Sequence, residues 1–452
     1  MSLHIVILAA GQGSRMKSDM PKVLHKVAGK PMLQHVVDTT AELDANGIHV
    51  VIGHGADSVK SSIVGEIVWS YQEQQLGTGH AVAQALPAIP KDSKVLILYG
   101  DVPLISKQTL TSMLATVDEE NIALLTVELE NPKGYGRIIR NFEGNIKAIV
   151  EEKDANDEEK DIHEVNTGIM ALSSNLLHDI IPKLGNDNAQ GEYYLTDLIE
   201  LANKQGKRIK GSQPQHEQEV QGVNNRLQLC ELECWYQSQV AEELLLSGVT
   251  LFDPHRIDVR GNLSCGKDVE IDINCVFIGD VSLGNNVKIG PNCIIQQSRI
   301  GDNTVVLANT MIDNSVIAES ASIGPFARLR PGTHLAKRTK IGNFVETKKT
   351  TVGEGSKINH LSYVGDAVLG ESVNVGAGTI TCNYDGVNKF LTEIEDGVFV
   401  GSNTSLVAPV KIGANATIGA GSTVTKDVDK EQLAVARSKQ SNINGWQRPT
   451  KK

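Results

Sequence analysis

The sequence lacks the segments that direct a chain into or across a membrane. No window of the 452 residues approaches the ~20 apolar residues that a membrane span needs. The start, MSLHIVILAAG, has a short apolar run but neither a basic beginning nor a small-residue cleavage site, so it predicts a first β-strand. We therefore expect a cytoplasmic protein with no membrane partner.

Basic charge and aromatic residues are also scarce. The net charge is −11 and aromatics make up only 4% of the chain, whereas glycine reaches 42 residues. An acidic chain is a poor partner for nucleic acid, because phosphate binding needs a basic surface. The glycines indicate much tightly turning backbone.

Cysteine is sparse and shows no functional pattern. The six cysteines form no C-x-x-C motif and no spacing typical of a secreted disulfide framework. We expect reduced, mostly buried thiols. Cys230 and Cys234, four positions apart on a predicted helix, are interpreted as a buried pair on one helix face and not as a metal or redox site.

The chain divides into two parts with different hydrophobic periodicity. Up to residue 226, short aliphatic runs such as HIVILAAG, IHVVIG, KVLILYGD, IALLTVEL and NTGIMALS alternate with helical segments such as KPMLQHVVDTTAEL and EYYLTDLIELANKQG. This alternation predicts an α/β domain with a mostly parallel sheet over 1–226. Residues 227–247 predict one long helix that links it to a second domain over 248–452.

The second domain carries a six-residue repeat. Ile323, Leu329, Leu335 and Ile341 fall six apart, and a second series repeats from Ile394 to Val424. That period fits neither a helix nor a flat strand, and it predicts a parallel β-helix with a buried aliphatic stack. The period stops at 381–393, which raises the question whether this domain is only a scaffold.

A glycine loop follows the first strand. In LAAGQGSRMKSDMPKVL, Gly11 and Gly13 allow a tight turn that exposes backbone N–H groups, and Arg15 and Lys22 add positive charge suited to a polyphosphate. Met16 stands where G-x-G-x-x-G needs its third glycine, and the P-loop pattern is absent. A plain β-to-α turn remains the alternative.

Two oxygen-bearing side chains point to a metal ion. Asp101 ends the strand KVLILYGD, at the sheet edge where parallel folds bind ligands, and Asn224 precedes the long helix. Together they are candidate ligands for Mg²⁺, which prefers oxygen and bridges substrate phosphates. A turn aspartate and a helix N-cap asparagine are the structural alternatives.

These motifs resemble those of the sugar-nucleotide pyrophosphorylases. The stretches LAAGQGSRM…PKVL, QQLGTGHA, YGDVPL, GYGRII, VEEKDA, VNTGIM and GVNN are similar to the bacterial bifunctional family that joins N-acetylglucosamine-1-phosphate uridylyltransferase to glucosamine-1-phosphate N-acetyltransferase. The resemblance spans essentially the whole chain. It implies a Rossmann-like nucleotidyltransferase domain, a left-handed β-helix of hexapeptide repeats, a homotrimer, and a product used in cell-wall and lipopolysaccharide synthesis.

For the first domain, the resemblance implies binding of UTP and N-acetylglucosamine 1-phosphate with Mg²⁺ on Asp101 and Asn224. Arg15 and Lys22 would neutralise charge in transfer to the sugar phosphate. Gln12 and Ser14 depart from the Lys and Thr common in such loops, which suggests tuned nucleotide affinity. The nucleotide and sugar residues would be Leu8, Ala9, Ala10, Gly11, Lys22, Gln72, Gly77, Thr78, Tyr99, Gly100, Asp101, Gly136, Glu151, Asn166 and Asn224. Of these, the resemblance implies that Gln72, Gly77 and Thr78 read the uracil and that Gly136, Glu151 and Asn166 hold the sugar and ribose.

In the β-helix, polar residues cluster on successive coils around His360. Arg330 and Lys348 suit a sugar phosphate, and a neutral imidazole can act as a general base. The resemblance implies that His360 takes the proton of the glucosamine amine as it attacks acetyl-CoA, with Glu346 as a partner for the amine or for His360. It assigns the amino-sugar phosphate to Arg330, Lys348, Tyr363 and Asn374, and acetyl-CoA to Ala377, Asn383, Tyr384, Ser402, Ala420 and Arg437.

Several interpretations stay open. The break at 381–393 is interpreted as a loop that walls an active site between subunits, and the basic tail beyond Arg437 is either a solvated end or a cover for a neighbour's acetyl-CoA. The β-helix would otherwise be an oligomerising or regulatory module on a nucleotidyltransferase, or the chain a non-enzymatic assembly subunit. The residues around His360 argue against the first, and Arg15, Lys22, Asp101 and Asn224 against the second.

Overall fold

The computed structural model describes residues 2–451, which divide into two compact units, one up to Tyr236 and one from Gln237. The boundary falls inside the helix Arg226–Leu246 (α8), which overlaps the linker predicted at 227–247. The three-part division 1–226, 227–247 and 248–452 itself stays a prediction. No helix within residues 2–451 is long and apolar enough to cross a membrane.

The first unit contains a mixed sheet in the order β11-β7-β10-β6-β1-β4-β5. Strands β6, β1, β4 and β5 run parallel, as do β11 and β7, whereas β10 is antiparallel to both of its neighbours. The strands are Leu3–Ala9 (β1), Lys26–Val27 (β2), Lys30–Pro31 (β3), Gly47–Ile52 (β4), Ile67–Tyr71 (β5), Lys94–Tyr99 (β6), Asn121–Glu128 (β7), Arg137–Arg140 (β8), Ile146–Val150 (β9), Glu164–Ser173 (β10) and Arg208–Ser212 (β11).

Helices cover both faces of this sheet. Ile5 and Ile7 of β1 pack into one hydrophobic core, and Val6 and Leu8 pack into another, because successive side chains of a strand point to opposite faces. The predicted, mostly parallel α/β domain is confirmed. The helices before α8 are Met32–Ala41 (α1), Ala56–Ser62 (α2), Thr78–Ala85 (α3), Lys107–Leu114 (α4), Asp157–Lys160 (α5), Ser174–Ile180 (α6) and Asp197–Lys204 (α7).

Helix α7 is shorter than the periodicity of EYYLTDLIELANKQG predicts. It begins at Asp197, because Tyr193 is used for a different contact. The backbone N–H of Tyr193 donates to the Leu76 carbonyl at 2.8 Å, and the Tyr193 carbonyl accepts from the Gly79 N–H at 2.8 Å. The segment before α7 is therefore bonded to the chain around Gly77.

The second unit is a parallel β-helix, consistent with the left-handed hexapeptide class. The aliphatic positions of both six-residue series are buried, including Ile323, Leu329, Leu335 and Ile341, so the prediction of a stacked aliphatic core is confirmed. Its strands are Thr250–Leu251 (β12), Ile257–Cys265 (β13), Glu270–Ile271 (β14), Cys275–Leu283 (β15), Lys288–Ile289 (β16), Ile294–Gln296 (β17), Arg299–Ile300 (β18), Val305–Val306 (β19), Met311–Asp313 (β20), Ser315–Ile317 (β21), Ser322–Ile323 (β22), Arg328–Leu329 (β23), Thr333–Leu335 (β24), Lys340–Asn343 (β25), Glu346–Val352 (β26), Lys357–His360 (β27), Tyr363–Leu369 (β28), Asn374–Val375 (β29), Ile380–Cys382 (β30), Thr392–Ile394 (β31), Phe399–Val400 (β32), Ser405–Val407 (β33), Val410–Ile412 (β34), Thr417–Ile418 (β35), Thr423–Val424 (β36) and Leu433–Ala434 (β37).

The break in the repeat is a small hairpin inserted into one coil. Lys357 and Asn374 are register partners 17 positions apart, whereas the next pair, Asn374 and Phe399, lies 25 positions apart. The insertion folds back on itself through an antiparallel bridge between Tyr384 and Lys389. Val387 and Asn388 close its turn by donating their backbone N–H groups to Asp385 Oδ1, at 2.8 and 2.6 Å.

The cysteines are all free, as expected, but their burial corrects two predictions, because only two of the six thiols are buried and not most of them. Cys275 and Cys293 are buried in the β-helix, whereas Cys230 and Cys234 are exposed on α8. The predicted buried pair is therefore wrong. Spacing of four puts two residues on one helix face, but it does not say whether that face is covered.

Candidate active sites

The glycine loop directly follows β1, and its two glycines serve different structural purposes. Gly13 has a φ of +64°, and a Cβ there would lie 2.6 Å from Lys22 Cβ, so glycine lets the lysine stem pack against the loop. A Cβ on Gly11 would meet no atom within 4 Å. The backbone at Gly11 therefore borders open space into which a ligand fits.

That space is a cavity of about 320 Å³ at the carboxyl ends of the strands. A second cavity, of about 590 Å³, adjoins it through Gly11, Lys22 and Gln75, and is lined by Arg15 and Asn224 as well. The first cavity is lined by most of the residues predicted to bind nucleotide: Leu8, Ala9, Ala10, Gly11, Lys22, Gln72, Gly77, Thr78, Tyr99 and Asp101.

The two proposed metal ligands face one point. Lys22 Nζ forms an ion pair with Asp101 Oδ2 and lies 3.3 Å from Asn224 Oδ1, while Arg15 Nη2 donates to the same Asn224 oxygen at 2.9 Å. The Val223 N–H donates to the Asp101 carbonyl at 2.9 Å, which holds Asn224 beside Asp101. Because one ammonium group reaches both oxygens, the pair fits a cation such as Mg²⁺.

The predicted sugar residues form a neighbouring group. The Asn166 N–H donates to the Gly136 carbonyl at 2.8 Å, and a Cβ on Gly136 would lie 3.5 Å from Glu151 Oε1. Burial raises the pKa of the Glu151 carboxyl, although a hydrogen bond from Thr196 opposes the shift. Glu151 in turn contributes to a raised pKa of Tyr99, whose larger cause is burial.

The positions predicted to read the uracil are held by backbone contacts. Gln72 is buried, and its Nε2 donates to the Gly77 carbonyl at 3.0 Å. The Leu195 N–H donates to Thr78 Oγ1 at 3.1 Å. Gly100, buried beneath the loop, donates its N–H to the Leu8 carbonyl at 2.9 Å and so fixes the end of β6 against β1.

In the second unit, the proposed base and three proposed acetyl-CoA positions stack in one column, one residue per coil. The backbone carbonyl of each residue in the column accepts a hydrogen bond from the next coil, where the donor is the N–H one position after the stacked residue. Asn343 accepts from Leu361 at 3.0 Å, His360 from Gly378 at 3.4 Å, Ala377 from Asn403 at 2.7 Å, and Ser402 from Gly421 at 2.8 Å. The column therefore runs Asn343, His360, Ala377, Ser402, Ala420. Arg437 joins it, since its Nη1 donates to the Ala420 carbonyl at 2.7 Å.

A cationic group lies on the adjoining strands. Arg330 Nη1 lies 2.8 Å from Glu346 Oε1. Lys348 is a register partner of Gly365 and is in contact with Lys389 from the hairpin. The nearby Lys389 is the largest cause of the lowered pKa of Lys348, and Arg330 adds to it. Like charges held together in this way are relieved by an anion such as a phosphate.

The remaining predicted residues surround this group. The ring of Tyr363 lies against Gly365, where a Cβ would collide with its hydroxyl. Asn383 is buried and donates to Asp366, whereas Tyr384 is exposed at the hairpin. Asn374 is not in the column with His360; it lies on β29 in register with Lys357.

Four residues that the sequence analysis did not select also border these sites. Gln75 Nε2 donates to the Ala10 carbonyl at 2.5 Å, and Glu192 lines the same cavity. Asn343 bonds to His360, and Lys389 reaches Lys348. Gln75 lies inside the quoted motif QQLGTGHA and was open to selection, whereas the other three become neighbours only through folding.

Family descriptions match both units. The description "MobA-like NTP transferase domain" matches residues 5–143, and "Bacterial transferase hexapeptide (six repeats)" matches residues 391–426. "GMPPB C-terminal domain" matches residues 259–335. Among solved structures, a UDP-glucose pyrophosphorylase complexed with UDP-glucose covers 53% of this chain and 100% of its own, with 20% identity and a TM-score of 0.43.

Full-length relatives are much more similar. The "Bifunctional protein GlmU" of Marinobacter nauticus is 65% identical over 450 residues, covering 99% of each chain. The protein of the same name from Saccharophagus degradans is 60% identical over 451 residues, covering 100% of each chain. At this identity over its whole length, the chain belongs to the family of bifunctional GlmU proteins.

Proposed function

We propose that this chain makes UDP-N-acetylglucosamine in two steps at two separate sites. The β-helix acetylates glucosamine 1-phosphate with acetyl-CoA, and the α/β unit couples the product to UTP and releases pyrophosphate. The observation that carries the proposal is the presence of two sites in one chain. One is the cavity lined by the glycine loop at Gly11, by Lys22 and by the carboxylate of Asp101, and the other brings together the histidine His360 and the cation Lys348. The proposed location of both reactions is the cytoplasm, and the use of UTP and acetyl-CoA supports it.

In acetyl transfer, the amine of the sugar attacks the thioester carbonyl of acetyl-CoA while His360 removes a proton from the nitrogen, and the C–S bond then breaks to release CoA as the thiol. General-base assistance of this kind is typically worth ~10²–10⁴ in rate. Arg330, Lys348 and Lys389 supply the charge that holds the sugar phosphate. A Cβ on Gly376 would lie only 2.6 Å from the backbone nitrogen of Ser402. The Ser402 N–H is proposed to stabilise the tetrahedral oxyanion.

In uridylyl transfer, a phosphate oxygen of N-acetylglucosamine 1-phosphate attacks the α-phosphorus of UTP, and the bond to pyrophosphate breaks. Both reactants are anions, so positioning and charge neutralisation supply most of the catalysis. Arg15 and Lys22 provide the fixed charge. Asp101 and Asn224 would hold Mg²⁺, which neutralises phosphate charge when bound.

A homotrimer is part of the proposal, and one face of the β-helix supports assembly. Phe326, Phe344 and Leu361 occupy the same corner on successive coils, in the left-handed conformation with φ of 56°, 56° and 47°. At the same corner, the neighbouring coils carry Asn309, Gly378 and Asn403. Bulky residues in this conformation cost ~1–3 kcal/mol each. All three side chains are exposed, at 49%, 54% and 61%. Burial against another copy would offset that cost.

The decisive experiment compares the chain with its His360→Ala variant in two assays. We expect the variant to lose thiol release from acetyl-CoA with glucosamine 1-phosphate, and to retain pyrophosphate release from UTP with N-acetylglucosamine 1-phosphate. That result separates the two sites. If the unaltered chain releases pyrophosphate but no thiol, the β-helix is an assembly or regulatory module and the acetyl-transfer half of the proposal fails.

A further inference from the structure

The proposed base has a specific hydrogen-bond partner on the preceding coil. His360 Nδ1 lies 2.7 Å from Asn343 Oδ1. The two residues are 17 positions apart and are register partners in the pairing of β25 with β27. The contact therefore follows from the stacking of coils, because residues with equal positions in adjacent coils lie directly over one another.

The chemistry of the contact decides which ring nitrogen is basic. An amide oxygen only accepts, so the proton of a neutral imidazole must be on Nδ1 for the bond to exist. Nε2 then carries the lone pair. Without such a partner, either nitrogen of an exposed imidazole can hold the proton, and the ring is free to rotate. The Asn343 oxygen thus selects both a tautomer and a ring orientation.

Among residues 2–451, no other side chain takes this role. Glu346, which the sequence analysis considered as a partner, accepts instead from Arg330 at 2.8 Å. The column neighbours of His360 are Asn343 on the coil before and Ala377 on the coil after, and neither side chain titrates. The imidazole therefore has a neutral partner and not a carboxylate.

The backbone around Asn343 is suited to holding a fixed position. Phe344 follows it in the left-handed conformation, and Leu361 follows His360 in the same conformation, so both coils turn alike after the paired residues. The Leu361 N–H donates to the Asn343 carbonyl at 3.0 Å. The rings of Phe326 and Phe344 stack with centroids 5.3 Å apart. These contacts limit the movement of the Asn343 backbone relative to His360.

We infer that Asn343 is a positioning residue for acetyl transfer: its side-chain oxygen holds the His360 proton on Nδ1 and presents Nε2 to the substrate amine. This inference rests on the proposed acetyltransferase function. Asn343 acts through His360 and does not itself touch the reacting atoms.

The test uses the full-length chain and follows thiol release against pH. Asn343→Leu keeps the side-chain size and removes the acceptor, and we expect kcat to fall about 10- to 100-fold, part of the range for general-base assistance, with KM nearly unchanged. Asn343→Asp keeps an acceptor and should retain most activity at neutral pH. Its carboxylate favours the imidazolium, so the acidic limb of kcat should move to higher pH.

A matched control and a second assay separate the outcomes. Asn262→Leu removes an exposed asparagine whose side chain donates to Asp280 Oδ1 at 2.9 Å, and should change neither kcat nor the pH profile. Uridylyl transfer by the same preparations should stay unchanged. If the Leu variant does not fold, the pH profile of the Asp variant decides. An unaltered kcat in the Leu variant, or an unmoved acidic limb in the Asp variant, overturns the inference. If the unaltered chain releases no thiol, the proposed function fails first.

Discussion

Lys22 places its ammonium group against the carboxylate of Asp101, one of the two residues proposed to hold Mg²⁺. Both side chains are mostly shielded from solvent, with 14% and 18% of their surface exposed. The same ammonium lies 3.3 Å from Asn224 Oδ1. A cation supplied by the chain itself therefore lies between the two proposed ligands.

This arrangement predicts that Lys22 competes with a divalent ion until a nucleotide draws the lysine away. Lys22→Met should bind Mn²⁺ about 10-fold more tightly without nucleotide, equivalent to ~1.4 kcal/mol, while uridylyl transfer falls. Titration with Mn²⁺ followed by electron paramagnetic resonance measures the affinity directly. Lys17→Met, an exposed lysine in the same loop, serves as the control. Equal Mn²⁺ affinities in all three proteins would show that Lys22 does not screen the site.

Gly365 should prove necessary for acetyl transfer through its lack of a side chain. A Cβ there would collide with the Tyr363 hydroxyl and ring, so Gly365→Ala must displace the tyrosine. We expect KM for glucosamine 1-phosphate to rise at least about 10-fold, a loss of ~1.4 kcal/mol of binding, and uridylyl transfer to be unaffected. Gly185→Ala, where an added Cβ meets nothing within 4 Å, should leave both activities unchanged. A normal KM in Gly365→Ala would remove Tyr363 from the binding site.

A buried histidine pair predicts acid sensitivity of the first unit. His4 Nδ1 and His49 Nε2 lie 3.1 Å apart between β1 and β4, and burial, with His4 nearby, lowers the pKa of His49 to about 4. Between the ordinary value of 6.5 and about 4, the unfolded chain binds a proton that the folded chain does not, so stability falls as pH falls through this window.

His49→Gln should remove part of that dependence. As pH falls from 6.5 to 4, the unfolding free energy of the original chain should fall by up to ~1.4 kcal/mol per pH unit more than that of the variant. The variant therefore gains in relative stability at acidic pH. Fluorescence of Trp69, on the strand next to His49, follows unfolding of this unit. Parallel stability curves for the two proteins would contradict the assignment.

Glu151 predicts a second pH effect, on sugar binding. Burial raises the pKa of this carboxyl, so it loses its charge at a higher pH than an exposed glutamate would. KM for N-acetylglucosamine 1-phosphate should therefore rise as pH is lowered. Glu151→Gln should have a raised KM that no longer depends on pH in the acidic range. Glu158→Gln, an exposed acid on α5, should behave as the unaltered chain does.

Much of the fold was open to prediction because its signals are local. In the aliphatic strands around Ile5 and Ile97, and in the six-residue repeat around Ile341, the spacing of aliphatic residues along the chain is enough to predict which side chains are buried. The start of α7 was not predictable in this way, because Tyr193 leaves the helical pattern to bond with Leu76 and Gly79. The exposure of Cys230 and Cys234 was missed for a related reason: spacing defines a helix face, but other elements decide whether it is covered.

By itself, the sequence determined the two architectures and the chemistry that each offers. A glycine loop before Lys22, a carboxylate at the end of β6 and a histidine among cations on a β-helix depend on residue type and on spacing within a short stretch. Only the tertiary structure decided the partners: Lys22 against Asp101, Lys389 against Lys348, and Asn343 against His360. These pairs join positions 17 to 79 residues apart, and contacts at such separations, such as the 2.7 Å hydrogen bond between His360 and Asn343, exist only once strands and coils have stacked in register.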